Sequence, residues 1–179
     1  MNKKILSIFV MVMALSLLGV SCNNKNTTGS TDENGGGGST TTQNKEIGTV
    51  TFNPDATQIG SGVVINAGTT TSVSGAKEKA LTMQIDGSDV ANQGYTFTIS
   101  KVVRETTAVG GESAATVDNG LQASDFTYDG AKITLKNGTS LDSGWTSNSV
   151  DAYAVTIKIS KDGYNDKEVV VYVALKGAA

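Results

Sequence analysis

The chain has 179 residues with no histidine, one cysteine, one proline, and 17 acidic residues against 14 basic ones. Without histidine the commonest general base and the commonest metal ligand are missing, and a single cysteine supports neither an internal disulfide nor a Cys/His zinc site. An acidic balance with no clustered basic face argues against a nucleic-acid partner.

Lys3 and Lys4 open the chain, and an apolar run follows from Ile5 to Val20, interrupted only by Ser7, Ser16 and Gly19. A charged start, an apolar run at the short end of membrane-span length and small residues at its close read as a secretory signal peptide over residues 1–21. Beyond this leader 12 basic residues face 17 acidic ones, a net charge of −5.

The leader ends in Leu18-Gly19-Val20-Ser21, followed by Cys22. This junction resembles the lipobox of bacterial lipoproteins, a short apolar-then-small sequence before an invariant cysteine. The resemblance implies a diacylglyceryl group on the Cys22 thiol, cleavage after Ser21 and acylation of the new N-terminus with a fatty acid such as palmitate. Gly19 stands where the box usually has leucine, with Leu18 one step further out. Relaxed boxes of this kind, and the Ser-Cys-Asn-Asn junction, resemble those of spirochaete lipoproteins. The partner so implied is a lipid bilayer, reached through acylated Cys22, and the expected location is the outer membrane and cell surface. Stable anchoring needs at least two acyl chains, at ~0.8 kcal/mol per buried CH₂, and a triacylated cysteine exceeds that threshold. The alternative is that Cys22 is an ordinary small residue closing the apolar run.

Residues 22–45 follow as a linker in which Asn23 to Asn44 are nearly all Asn, Thr, Ser, Gly and Lys. With no apolar side chain to bury, such a segment is expected to stay disordered. As a coil it would span about 25–30 Å, and fully extended about 70–80 Å. Gly35–Gly38 lacks the flanking strand and helix that a phosphate loop requires.

Residues 46–179 change to period two. Leu81, Met83 and Ile85, then Tyr95, Phe97 and Ile99, then Val155, Ile157 and Ile159 alternate with polar residues, the signature of strands with one wet face. Further strands are expected at Thr49–Phe52, Gly62–Ile65, Thr70–Val73, Ala131–Lys136 and Glu168–Leu175. The last, apolar on both faces, is expected to be central. Asp86-Gly87, Asp118-Asn119-Gly120, Asp129-Gly130, Asn137-Gly138 and Asp162-Gly163 supply tight-turn chemistry between them. Short strands with regular turn signals predict an all-β, single antiparallel sandwich. GYTFTISK at 94–101 echoes AYAVTIKISK at 152–161; two strands with similar roles explain this better than two half-domains.

The C-terminal part resembles the bacterial immunoglobulin-like modules of secreted and surface proteins. The resemblance rests on Asp125-Phe126, Asp129-Gly130, Ile133–Leu135, Leu141–Gly144, Tyr153–Ile157, Gly163–Asp166 and Val169–Val173, within roughly residues 118–175. It implies a fold and no activity.

Candidate chemistry is thin. Ser74-Gly75-Ala76-Lys77 fits the S-x-x-K pattern of serine acyl-enzymes but lacks the S-D-N and K-T-G elements and a helical setting. Asp86-Gly87-Ser88-Asp89 and Asp162-Gly163-Tyr164-Asn165-Asp166 offer oxygens to calcium, yet hairpin turns account for them and neither has a full loop spacing. Trp145, in a Ser/Gly-rich stretch, either presents an aromatic surface to a glycan or host protein or plugs the end of the sandwich. The expectation is a non-enzymatic surface lipoprotein with a structural, adhesive or antigenic role and no cofactor, metal or catalytic residue. The alternative is a carbohydrate- or host-protein-binding module using loops near Trp145.

Overall fold

The computed structural model describes residues 43–177, and within them the alternating pattern forms ten strands. These are β1 (Val50–Asn53), β2 (Val63–Asn66), β3 (Lys77–Ala80), β4 (Thr82–Ile85), β5 (Ser88–Asp89), β6 (Thr96–Glu105), β7 (Phe126–Tyr128), β8 (Lys132–Leu135), β9 (Val150–Ser160) and β10 (Lys167–Lys176). The described residues are all-β apart from two single turns of 3₁₀ helix, Ile59–Ser61 and Ala123–Asp125. Cys22 and Ser21 lie outside the described residues.

Three hydrogen-bonded groups result, in the orders β1-β4-β5, β3-β8-β7 and β2-β10-β9-β6. The first two are joined by continuous chain. Only Leu81 separates β3 from β4, and the Leu81 and Met83 N–H groups each donate at 2.8 Å to carbonyls of the β7–β8 turn, those of Ala131 and Gly130. Apolar residues of the four-stranded sheet (Val155, Ile157, Val171, Val173) share one core with those of the other groups (Leu81, Met83, Phe126, Ile133, Leu135). This core lies within a compact unit formed by residues 41–179.

One ladder departs from the antiparallel expectation. β2 runs parallel to β10, with Val63–Asn66 beside Val173–Lys176. The cause is a crossover: β1 pairs with β4 in one sheet, and residues 54–62 carry the chain across to the other. Buried Ala56 ties that crossover down by accepting the Tyr172 N–H at 2.8 Å.

The long strands follow their sequence pattern closely. On β9, Asp151, Tyr153, Val155, Ile157 and Ile159 share one parity and are all at most 1% exposed. β10 lies between β2 and β9 as expected, but its outward face is covered only in part. Ala174 is buried beneath Val109, whereas Val170 is 41% exposed. The echoing segments are neighbours: β6 and β9 pair antiparallel, from Thr96 opposite Ser160 to Glu105 opposite Ala152, with a bulge between Ile99 and Lys101. They resemble each other because both present one apolar side to the same core.

Four elements differ from expectation, two of them β5 and β7, which form where no strand was expected. Thr70–Val73 forms no strand, only an isolated bridge from Ser72 to Ser140. Lys77–Ala80, with no apolar alternation, does form one, because the exposed β3 pairs with β8 and is reinforced there by the Lys132–Glu78 ion pair at 2.8 Å.

The ends of β9 face different surroundings. At its C-terminal end the Lys45 N–H donates to the Gly163 carbonyl at 2.9 Å and the Asn165 N–H to the Lys45 carbonyl at 2.8 Å, so the chain enters the fold beside the β9–β10 turn. Loops 106–122 and 137–149 gather at the other end. The 11 residues of β9 separate the two by about 35 Å at ~3.3 Å per residue.

Candidate functional site

Trp145 is the first sequence-predicted site residue to locate, and it is in the core. Its side chain is part of the central cluster, the residue is 3% exposed, and the indole N–H donates to the Gly68 carbonyl at 2.7 Å. Of the two alternatives for Trp145, the buried position is that of the plug. Its hydrophilic neighbours build the turn that directs the ring inward: the Gly144 N–H donates to Asp142 Oδ1 at 2.7 Å and the Trp145 N–H to the Asp142 carbonyl at 3.0 Å.

Beside this plug lies a polar centre that sequence reading missed. Asp151 is fully buried, and its carboxylate accepts five hydrogen bonds. Oδ1 accepts from Arg104 Nε at 3.3 Å and from the Ala152 N–H at 3.0 Å. Oδ2 accepts from the Asn119 N–H at 2.8 Å, from the Asn119 side-chain amide at 2.9 Å, and from the Tyr153 hydroxyl. A buried charge is tolerated when it is paired and its lone pairs are satisfied, and Asp151 meets both conditions. Arg104 extends the network by donating to the Val117 carbonyl at 2.7 Å and lying 3.6 Å from Asp118. Asn119 closes it by accepting the Asp142 N–H at 2.7 Å. The centre thus fastens loops 106–122 and 137–149 to the start of β9. Its signal was present in the sequence: Asp151 sits at an inward-facing parity of β9.

Tyr153 is held as a neutral phenol by burial, by its hydrogen bond to Asp151 and by that carboxylate's charge, all of which push its pKa up. It is a donor that secures Asp151, and nothing in this geometry makes it a base.

A cleft of about 370 Å³ opens between β6, the 123–125 turn and β7. Its floor is apolar, from Phe97, Ile99, Phe126 and Tyr128, and its rim is polar, from Ser124, Thr127 and Lys136. Phe97 packs edge-on against Tyr128, with ring centroids 5.4 Å apart. The Tyr128 hydroxyl is committed to the Leu81 carbonyl at 2.8 Å, and burial pushes its pKa up. β6 and β7 are each the last strand of their sheet, so each pairs on one side only. An apolar floor, a polar rim and two strand edges thus line the cleft.

The remaining candidates are occupied by local structure. Ser74 is exposed in a turn rather than at a helix start, and the next residue's N–H donates to Asn137 Oδ1 at 2.8 Å. Asp86 accepts the Thr49 N–H at 2.8 Å, Asp89 accepts Gln84 Nε2 at 2.9 Å, and Asp166 pairs with Lys158 at 2.6 Å. Among the described residues no group of three or more acidic, Cys or His side chains is placed to hold a metal ion. No helix among them is long and apolar enough to cross a membrane.

Over the described residues the fold is all-β. No protein-family model, curated protein or solved structure matches the chain.

Proposed function

We propose that the chain is a lipid-anchored bacterial envelope protein that presents one immunoglobulin-like β-sandwich on a hydrophilic linker. Its role is structural, adhesive or antigenic at the outer-membrane surface, and it is not an enzyme. The observation that carries the reading is the junction Leu18-Gly19-Val20-Ser21-Cys22, with the chain's only cysteine at the boundary between an apolar leader and a hydrophilic segment. Lettered A to G in chain order, with β1 and β2 as A and A′, β3/β4 as B and the two-residue β5 beside β4 left unlettered, the strands give A-B-E-D and A′-G-F-C. That order supports an immunoglobulin-type sandwich. Entry of the chain beside the β9–β10 turn, away from the large loops, suits a module held at one end and presented at the other.

Phase partitioning of the full-length protein expressed in a lipoprotein-processing bacterium tests the anchor. The wild type is expected in the detergent phase and Cys22→Ala in the aqueous phase; equal partitioning of the two would sink the proposal.

A second reading, a binding module, is favoured by the cleft between β6 and β7, whose free strand edges suit an extended segment of a partner protein. Ser124→Arg with Thr127→Arg fills the rim without touching the core. If the cleft binds, this variant loses signal on a matrix-protein array; unchanged binding rejects the cleft.

A further inference from the structure

We propose that the outward face of the four-stranded sheet is a self-association surface, on which a second copy of this chain packs about a two-fold axis parallel to the strands and lying between β9 and β10. Val103 and Val170, at 43% and 41% exposure, are the exposed large hydrophobics among the described residues, and both belong to this face. Val103 lies opposite Ala154, and Ala154 opposite Tyr172, in one row across β6, β9 and β10. In the next row Lys101 is opposite Thr156, and Thr156 opposite Val170.

The register of β9 on β10 makes this face complementary to itself. A two-fold between the strands sets β9 of one copy over β10 of the other, so each residue meets the copy of its own cross-strand neighbour. Lys158 then faces Glu168 and Ala154 faces Tyr172, and the same contacts recur across the axis, because these are the paired residues in the ladder. A large side chain meets a small one and a cation meets an anion in both halves, as an isologous interface requires. A two-fold along β9 or β10 fails this test: it sets Lys158 against Lys158 or Glu168 against Glu168.

The face is bounded. At one end Val109 already covers Ala152 and Ala174 and this cluster packs against part of Tyr172, which confines contact to the outer part of the Ala154–Tyr172 row and to the rows from there to Lys158–Glu168. Lys158 also reaches Asp166 at 2.6 Å, and Asp166 adds to the acidic side of the same corner. A patch a few strands wide, at ~4.8 Å per strand, lies at the low end of specific interfaces, so the dimer is a weak one. An axis parallel to the strands also sets the two Lys45 entry points on the same side, which lets copies held to one surface pair side by side.

The test uses the chain from Asn23 onward, since the core lies within residues 41–179, and reads monomer–dimer equilibria by sedimentation. The wild type is expected to dimerise reversibly. Lys158→Glu and Glu168→Lys should each weaken self-association about tenfold or more, because each sets like charges together. Mixing the two variants should restore dimers, since both cross-contacts become opposite in sign. Val170→Ser, at an exposed side chain that faces Thr156 of the second copy, should weaken the dimer without rescue by mixing. Circular dichroism establishes that each variant is folded. A wild type that stays monomeric at its highest soluble concentration overturns the proposal, as do charge variants that pair no better mixed than alone.

Discussion

Asn119 donates two hydrogen bonds, from its backbone N–H at 2.8 Å and its side-chain amide at 2.9 Å, to one oxygen of the buried Asp151 carboxylate. This double contact, with Arg104 on the other oxygen, makes Asp151 the fastening point of the loops remote from the chain's entry. Asp151→Ala leaves Arg104 and the Asn119 and Tyr153 donors without their partner, and breaking a buried pair in this way costs about 3–5 kcal/mol. Urea denaturation should show that loss, and hydrogen exchange should show faster opening of residues 114–122. A cost below about 1 kcal/mol would contradict the assignment.

High pH should weaken the protein through two phenols. Burial, the first cause in each case, pushes the Tyr128 and Tyr153 pKa values above the ordinary 10.0. A phenol that resists ionisation in the folded state adds stability that is fully present below its unfolded pKa and is lost as pH rises past it. Melting temperature should therefore fall above pH about 10. Tyr128→Phe removes one titrating group along with its hydrogen bond to Leu81. It should start less stable at neutral pH and decline less steeply above pH about 10; an unchanged slope would count against Tyr128 as a source.

Trp145 should report on folding directly, as the only tryptophan in the chain. At 3% exposure its native emission is expected at short wavelength, moving to the red on denaturation. Trp145→Ala should cost about 3–5 kcal/mol, the range for a large aromatic removed from a core. An emission maximum already at the solvent-exposed position in the native protein would refute the plug.

Gly130 is constrained twice. Its φ is 94°, and a Cβ there would sit 2.8 Å from Val90 Cγ2 and 3.0 Å from Phe97 Cε2. Alanine would strain the β7–β8 turn and press on the cleft floor, at a cost of more than about 1 kcal/mol. Gly138, also at positive φ but with open space around it, should tolerate alanine better. Equal melting temperatures for the two variants would remove the crowding from the account.

Strand identity was largely legible because β9 alternates and β10 is an unbroken apolar run, and because Asp129-Gly130 and Asp162-Gly163 mark the β7–β8 and β9–β10 turns in plain chemistry. β3 escaped notice because Lys77-Glu78-Lys79-Ala80 has no buried side to show; its pairing comes from β8, more than fifty residues away. The parallel β2–β10 ladder escaped for the same reason, since periodicity gives a strand's faces and not its partner. Trp145 left two alternatives open in the sequence because the loop residues around it are polar while the ring they position is not. Asp151 carried a readable clue, a charge at an inward parity, but its five donors come from Arg104, Asn119, Ala152 and Tyr153. Only the folded chain brings Arg104 and Asn119 to it. The cleft had no sequence signal, being made by edges of two different sheets.

The most direct test of the central claim is the intact mass of the mature protein, purified from membranes of a lipoprotein-processing bacterium. The account predicts a chain that begins at Cys22 and carries a diacylglyceryl group and an N-terminal acyl chain. A chain that begins elsewhere, or an unmodified Cys22, would contradict it.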